Sequence, residues 1–579
     1  MSKALAFLVF LCALLFLFCF QTSTAEDRDS VEVEALTALK LSLHDPLGTL
    51  DGWNPSTPSA PCDWYGIVCF QGHVHELNLP RLQLGGSISS QLCNLSQLRK
   101  LSLHSNNLNG SIPFSISQCS FLRLVYLQTN SLTGPLPPDI FNLSGLQVLN
   151  LGHNLLNGSV PSTLTASLRF LDLSVNYLSG EVPSKFPSNS QLQFINLSYN
   201  NFSGELPGSI GSLGQLKYLF LDSNQLSGTI PSTLAECNSL VQLSAQDNLL
   251  QGVLPTTVGH LPNLEVVSLS RNKLSGKIPS SYFCSGSGNT SALKTVSMAR
   301  NEFTGVTEPT FNGGTCINGL EVLDLHGNRI GGRFMSFLTS LTSLRIVNFS
   351  DNLLSGDLPV EIAKLSKLVE FKVANNSLTG QIPSGLSKCG SLQVLNLERN
   401  RFTGEIPQFL GVLKNMQVLS LGWNMFSGPV PLSLGRLTKL ETLELGNNKL
   451  GGAIPEEIFS FYNLSTLDIS YNLFLGNIPW SIGKLSSLVS LNMSGCGFSG
   501  MVPKSVGKLF KLTSLDLRKQ NLSGELPVEL FGLPRLQFVA LQENALSGDI
   551  PEGLSNLVGL RSLNLSFNRF TGEIPPTLG

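Results

Sequence analysis

The stretch "LKYLFLDSNQLSGTIP" (216–231) returns as "LEVVSLSRNKLSGKIP" (264–279) and as "LQVLNLERNRFTGEIP" (392–407). Aligning the chain on the Asn that follows each L-x-L pair, or on the residue standing in its place, gives positions 82, 106, 130, 154, 176, 200, 224, 248, 272, 301, 328, 352, 376, 400, 424, 448, 472, 496, 520, 544 and 568. These are 21 turns, and the step is 24 residues except for 22 before Asn176, 29 before Asn301 and 27 before Asn328. A fixed period of this size describes stacked, near-identical turns in which each touches only its neighbours.

Each position in the unit has a physical reason. Leu219 and Leu221 alternate with Tyr218, Phe220 and Asp222. Successive strand residues point to opposite faces, so the leucines enter a core and the others line an inner surface. The Asn then stands where the chain turns inward. Its amide both donates and accepts, so it can serve the backbone of its own turn and of the next, and stacked copies form a ladder. Leu82, Cys496 and Gln520 interrupt that ladder. The first is read as part of an atypical end turn, the other two as a locally weaker or reshaped turn. In the "LSGxIP" half, Gly takes a turn closed to other residues and Pro fixes the exit. The alternation Leu226, Gly228, Ile230 suggests a second short strand beside the first. L-x-x-L-x-L-x-x-N is the leucine-rich signature. The expected fold is an α/β leucine-rich-repeat solenoid: a right-handed superhelix of about 21 repeats with a parallel inner β-sheet and an N-terminal helical cap.

A solenoid end exposes its core and needs a cover. In "EALTALKLSLHDP" (34–46), Leu36, Leu39 and Leu43 fall at helical spacing and Pro46 stops the run, which predicts a capping helix. Cys62 and Cys69 in "CDWYGIVC" lie just before the first repeat and are expected to staple the cap. Cys119, Cys237 and Cys389 each lie 11 residues before their repeat's Asn, where Leu95, Leu143, Leu213, Leu413 and Leu485 stand elsewhere. That register makes them small core hydrophobes rather than disulfide partners. Cys284 and Cys316 fall in the two irregular repeats and are expected to close those insertions as a second disulfide; Cys93 receives no assignment.

Lys3, the apolar run "ALAFLVFLCALLFLFCF" (4–20) and the small residues "STA" (23–25) read as a signal peptide cleaved after Ala25, the alternative being an uncleaved anchor helix. The domain reading is therefore 1–25 signal peptide, 26–73 cap, and 74–579 repeats, the last incomplete. A balance of 37 Lys and Arg against 39 Asp and Glu offers no basic footprint for nucleic acid or an anionic membrane. No catalytic motif is present: there is no G-x-S-x-G, no G-x-x-x-x-G-K-[ST] and no H-E-x-x-H. "GHVHE" (72–76) hints at a metal pair, but His75 and Glu76 sit where the first strand begins and read as surface residues. Neither a catalytic residue, a metal site nor a cofactor is expected, and the chain reads as a binder.

Charged residues make up only 13% of the chain, about half the usual share. Thirteen sequons could supply the missing polarity as glycans: Asn94, Asn109, Asn142, Asn157, Asn196, Asn201, Asn289, Asn348, Asn375, Asn463, Asn492, Asn521 and Asn564. Glycans block contact, so ligand candidates are sought in the two longest sequon-free intervals, Asn201–Asn289 and Asn375–Asn463. The first offers Tyr218, Phe220, Asp222 and Arg271, the second Glu398, Arg399, Trp423 and Glu444. Aromatic residues with Arg are what binding hot spots favour.

The segment "EALTALKLSLHDPLGTLDGWNPSTPSAPCDWYGIVC" (34–69), followed by repeats of the "LSGxIP" form, resembles the N-terminal cap and extracellular repeats of plant leucine-rich-repeat receptor-like kinases. The resemblance runs from about residue 30 to the end. It implies a receptor on the extracellular face of the plasma membrane that perceives a peptide or protein ligand and recruits a shorter leucine-rich-repeat co-receptor kinase. It also implies a membrane helix and a Ser/Thr kinase, and this chain has neither a spanning segment after the repeats nor a kinase H-R-D or D-F-G. Nor is there a long island insertion or a paired Arg-x-Arg on the inner face. Because "RFTGEIPPTLG" (569–579) stops inside a repeat, the expectation is an ectodomain cut from a longer chain. The alternative is a secreted inhibitor or decoy.

Overall fold

The computed structural model describes residues 31–284, 292–308 and 319–576. The signal segment, Asn289 and Cys316 lie outside the described residues. The chain divides into two compact units, Met1–Ser275 and Gly276–Gly579.

In the first unit nine inner strands, from His73–Asn78 to Val266–Ser268, stack in parallel. Pairing joins equivalent repeat positions, as in Phe170↔Phe194↔Tyr218 and Leu171↔Ile195↔Leu219. The second unit repeats the arrangement with twelve strands, from Thr295–Ser297 to Ser562–Asn564. Nine and twelve make one strand for each of the 21 aligned turns. The alternation expected from the sequence holds: Leu219 is 1% exposed and Leu221 fully buried, while Tyr218 between the strand's neighbours is 37% exposed. This is an α/β leucine-rich-repeat solenoid.

The "LSGxIP" half forms the second strand, for example Gln225–Ser227 paired with Asn201–Glu205. Gly228 turns at φ +70°, and a Cβ there would stand 2.6 Å from Glu205 Cγ, so both the dihedral and the space require glycine. Pro231, in extended conformation, then opens a 3-10 turn at Ser232–Glu236 on the outer wall. The cap contains the described α-helix, 31–42, with Leu36 and Leu39 fully buried. Leu43 is not on it. It leaves into a short strand, Leu43–His44, that pairs with Gly85–Gly86, so the helix ends earlier than its leucine spacing suggested. Behind the helix Trp53 and Trp64 stack at 5.1 Å, and Cys62–Cys69 is bridged with a Cα separation of 5.6 Å.

The asparagine ladder holds consecutive turns together. Asn424 Nδ2 donates to Leu421 O (3.1 Å) in its own turn and to Leu397 O (3.0 Å) in the preceding one. Its Oδ1 accepts from Phe402 N (3.0 Å). Gln520 keeps both bonds to the preceding turn, donating to Met493 O and accepting from Phe498 N (3.1 Å), but among the described residues it lacks the own-turn bond that Asn424 makes, so the rung is reshaped. Cys496 offers only a thiol, 3.4 Å from Ile469 O, which is a poorer donor than an amide. The residue before each ladder position adopts the left-handed conformation: Ser223 (φ 53°), Arg271 (56°), Arg399 (53°) and Trp423 (53°) among others. Non-glycine residues reach it at a cost of about 1–2 kcal/mol each. Cross-turn bonds such as Ser223 N to Gln246 O (2.8 Å) help to offset this.

One cysteine reading is corrected. Cys119 is not a lone core residue; it is bridged to Cys93, with Cα atoms 5.0 Å apart. Cys119 holds a core register position within its own turn, but stacking brings the preceding turn's Cys93 against it. Turns lie about 4.8 Å apart, inside the range a disulfide spans. Cys93 stands 26 residues earlier, on the outer wall of the preceding turn. The same offset from Cys237 and Cys389 finds Gly211 and Ala363, and both of these thiols are free and buried. Cys284 is disulfide-bonded.

Two expectations follow. Replacing Asn424 with Ala should cost about 1–3 kcal/mol in denaturant unfolding, because it strips partners from backbone groups of two turns. Burial pushes the Cys237 thiol up to about 12 and those of Cys389 and Cys496 to about 11. An alkylating reagent at neutral pH should therefore spare all three until the protein unfolds, and should reach Cys93 and Cys119 only after reduction. Labelling of Cys119 without reductant would contradict the bridge.

Candidate functional site

The exposed side chains of the inner strands form columns, one residue per turn. In the first unit one column carries Phe170, Phe194 and Tyr218 on successive turns. The rings of Phe170 and Phe194 stack at 4.3 Å with planes 7° apart. Phe194 touches Tyr218 (6.1 Å) and Phe220 (5.6 Å), and Tyr218 lies 6.3 Å from Phe220. Sequence reasoning found Tyr218 and Phe220 and missed Phe170 and Phe194. Lining up the third position of each L-x-x-L would have revealed the row.

Asp222 stands beside this group. Its Oδ1 accepts from Ser244 Oγ (2.6 Å) and from Gln246 N (2.8 Å) on the following turn. Burial raises its pKa; those two hydrogen bonds oppose the rise only in part. Arg271 is not part of the aromatic cluster. It lies two turns on and pairs with Asp247 at 3.3 Å.

In the second unit Glu398, Arg399 and Trp423 are brought together. Arg399 Nε is 3.2 Å from Glu398 Oε1, and its guanidinium lies 4.9 Å over the Trp423 ring, which is 50% exposed. A cation over an indole face is an ordered, partly desolvated pair that can present a flat edge to a ligand. Glu444 stands apart, accepting from Ser420 Oγ at 2.7 Å.

The acid and amide residues of the middle inner column serve the backbone. Asp172, Asn196, Asn348, Asp468 and Asn492 each accept from the N–H two residues ahead. The sequon residues Asn196, Asn348 and Asn492 are thus half-buried and engaged, whereas Asn94, Asn109, Asn142, Asn157, Asn201, Asn375, Asn463, Asn521 and Asn564 are exposed. In "GHVHE", His73 Nδ1 lies 3.4 Å from Glu32 and Glu76 pairs with Lys100 at 3.4 Å. No group of three or more His, Cys, Asp or Glu among the described residues could hold a metal ion.

The raised pKa of Asp222 has a sign that can be tested. A carboxyl that holds its proton more tightly when folded contributes stability below its unfolded pKa, near 4, and loses it as pH rises through the folded value. Asp222→Asn keeps the accepting oxygen and should raise Tm at pH 7. The gain should vanish as pH falls below 4, measured by thermal unfolding at both pH values.

The leucine rich repeat N-terminal domain family matches residues 29–70, and the leucine rich repeat families match 166–226, 510–570 and seven single repeats between 97 and 509. Among solved structures, the Arabidopsis receptor kinase HAESA, in complex with the peptide hormone IDA and the co-receptor SERK1, is 34% identical. The match covers 94% of this chain and 91% of that one, with a TM-score of 0.79. The plant peptide hormone receptor RGFR1, in complex with RGF2, is 28% identical over 89% of this chain and 96% of that one, TM-score 0.69. The probable inactive leucine-rich repeat receptor kinase XIAO of Oryza sativa subsp. japonica is 47% identical over 80 residues, 14% of this chain and only 7% of its own length. With the repeat ladder, the cap and an end-to-end match to a receptor ectodomain in place, the chain belongs to the plant leucine-rich-repeat receptor kinases and corresponds to their ectodomain.

Proposed function

We propose that this chain is the ligand-perceiving ectodomain of a cell-surface receptor kinase and that it takes a peptide or small protein ligand on the inner face of its repeats. The single observation that carries the reading is the inner face itself. It presents an aromatic row in one unit and an Arg–Trp pair in the other, on a scaffold similar over 94% of its length to a receptor solved with a peptide hormone and a co-receptor. The candidate contacts are Tyr218, Phe220, Asp222 and Arg271 in the first unit and Glu398, Arg399, Trp423 and Glu444 in the second. A shorter leucine-rich-repeat co-receptor kinase is the proposed second partner. The proposed route is the secretory pathway, with residues 1–25 as signal, 26–73 as cap and 74–579 as repeats. Glycans are assigned to the exposed sequons, and Cys284 is paired with Cys316. No helix of the described residues is long and apolar enough to cross a membrane.

The test uses the full chain, immobilised and incubated with peptides from plant extracellular fluid, alongside the combined variant Tyr218→Ala, Phe220→Ala, Trp423→Ala. At least one peptide should be enriched on the native chain and lost from the variant. Equal recovery on both would overturn the inner-face reading.

A further inference from the structure

The inner column next to the aromatic row is cationic in the first unit. On the turns of the aromatic row and those before it, it reads Arg99, Arg123, Gln147, Arg169, Gln193 and Lys217. Arg123, Arg169 and Lys217 are exposed, and none of these four cations has an ion-pair partner among the described residues. Arg99 Nε is buried without a hydrogen-bond partner, and Arg169 reaches only Gln191 Oε1, at 3.4 Å. Positive charge gathers at the same end. Burial, reinforced by Arg99, holds His75 below its ordinary value, and burial with Arg81 and Lys100 does the same for His104. The acids at the inner strands of these turns are already engaged: Glu76 by Lys100, Asp172 by Ser174, and Asp222 by Ser244 and Gln246. The second unit differs in the same column, where Glu321 and Arg345 stand on adjacent turns and pair with each other at 3.9 Å.

Resting on the receptor reading above, the geometry points to an acidic, extended peptide as the ligand of the first unit, its carboxylates along Arg99, Arg123, Arg169 and Lys217 and an apolar side chain against Phe170, Phe194, Tyr218 and Phe220. Five turns separate Arg99 from Lys217, about 24 Å, which an extended chain of about seven or eight residues spans. Charge complementarity selects the acid. The aromatic row selects peptide over an anionic polysaccharide. Phe170 and Phe194 spend a face on each other and offer edges, which suit an aliphatic or aromatic side chain better than the flat stacking of a sugar ring. Asn196 lies within the row, so a glycan there and this ligand exclude each other.

The probes are a synthetic peptide of about eight alternating Glu and Leu residues, its Gln and Leu counterpart, and an oligomer of uronic acid, each titrated against the glycosylated full chain. The acidic peptide should bind and the neutral one should not, with affinity falling as salt rises. Arg123→Gln, Arg169→Gln and Lys217→Gln together should weaken it about tenfold. Lys414→Gln with Lys439→Gln in the other unit should change nothing, and equal Tm values guard against misfolding. Four results overturn the proposal: equal binding of the acidic and neutral peptides, an unaffected triple variant, uronic acid bound in place of peptide, or a glycan found on Asn196. A natural ligand of neutral composition, captured as above and lost from the aromatic variant, would also overturn the acidic chemistry while leaving the receptor reading intact.

Discussion

A side-chain amide at the inward bend, present in all but two of the 21 turns, holds the stack together. The Asn at the inward bend closes its own turn and reaches the preceding one, so no backbone group at the bend is left buried and bare. Everything else is arranged around that contact. The leucines behind it fill the space between turns, and the residue before it accepts a left-handed backbone so that the amide can face inward. Leucine burial alone would allow turns to slide; the amide ties each bend to particular carbonyls one turn away. Gln520 can fill the place because it carries the same amide, whereas Cys496 cannot match it.

Because stability resides in the buried columns and the ladder, the inner-face columns are left free to vary. The pairs and clusters found there differ between the units. An aromatic row with unpaired cations marks one, and self-paired charges with an Arg–Trp contact mark the other. Where an inner residue does serve the fold, as at Asp172 or Asn196, it does so through a short bond to its own strand and still shows part of its surface.

Much of this was legible because period and alternation are local signals. The 24-residue step and the L-x-L pairs disclosed the strands, the buried leucines and the ladder, and the Gly and Pro of "LSGxIP" disclosed the second strand. What escaped depends on contacts between turns. Cys93 and Cys119 look unrelated along the chain and meet only when their turns stack. Phe170 and Phe194 look like ordinary variable positions until their rings are seen face to face. The left-handed residue before each Asn leaves no trace in composition, since Ser, Arg, Trp and even Val175 occupy it. Leu43 kept helical spacing but was drawn into a strand by Gly85–Gly86, a tertiary override of local preference.

The in-register stacking of turns also acts as a vernier. Side chains recur across the turns about every 4.8 Å, while an extended chain laid over them repeats its same-side groups about every 6.6 Å. The two rulers nearly coincide only after about four turns against three dipeptide steps. An extended guest therefore cannot match every turn. It gains at a few coincident points and is mismatched between them, so sliding by one turn loses most contacts at once. A scaffold built from near-identical turns can in this way select one alignment of its guest, and a few positions rather than the whole face set which guest is accepted.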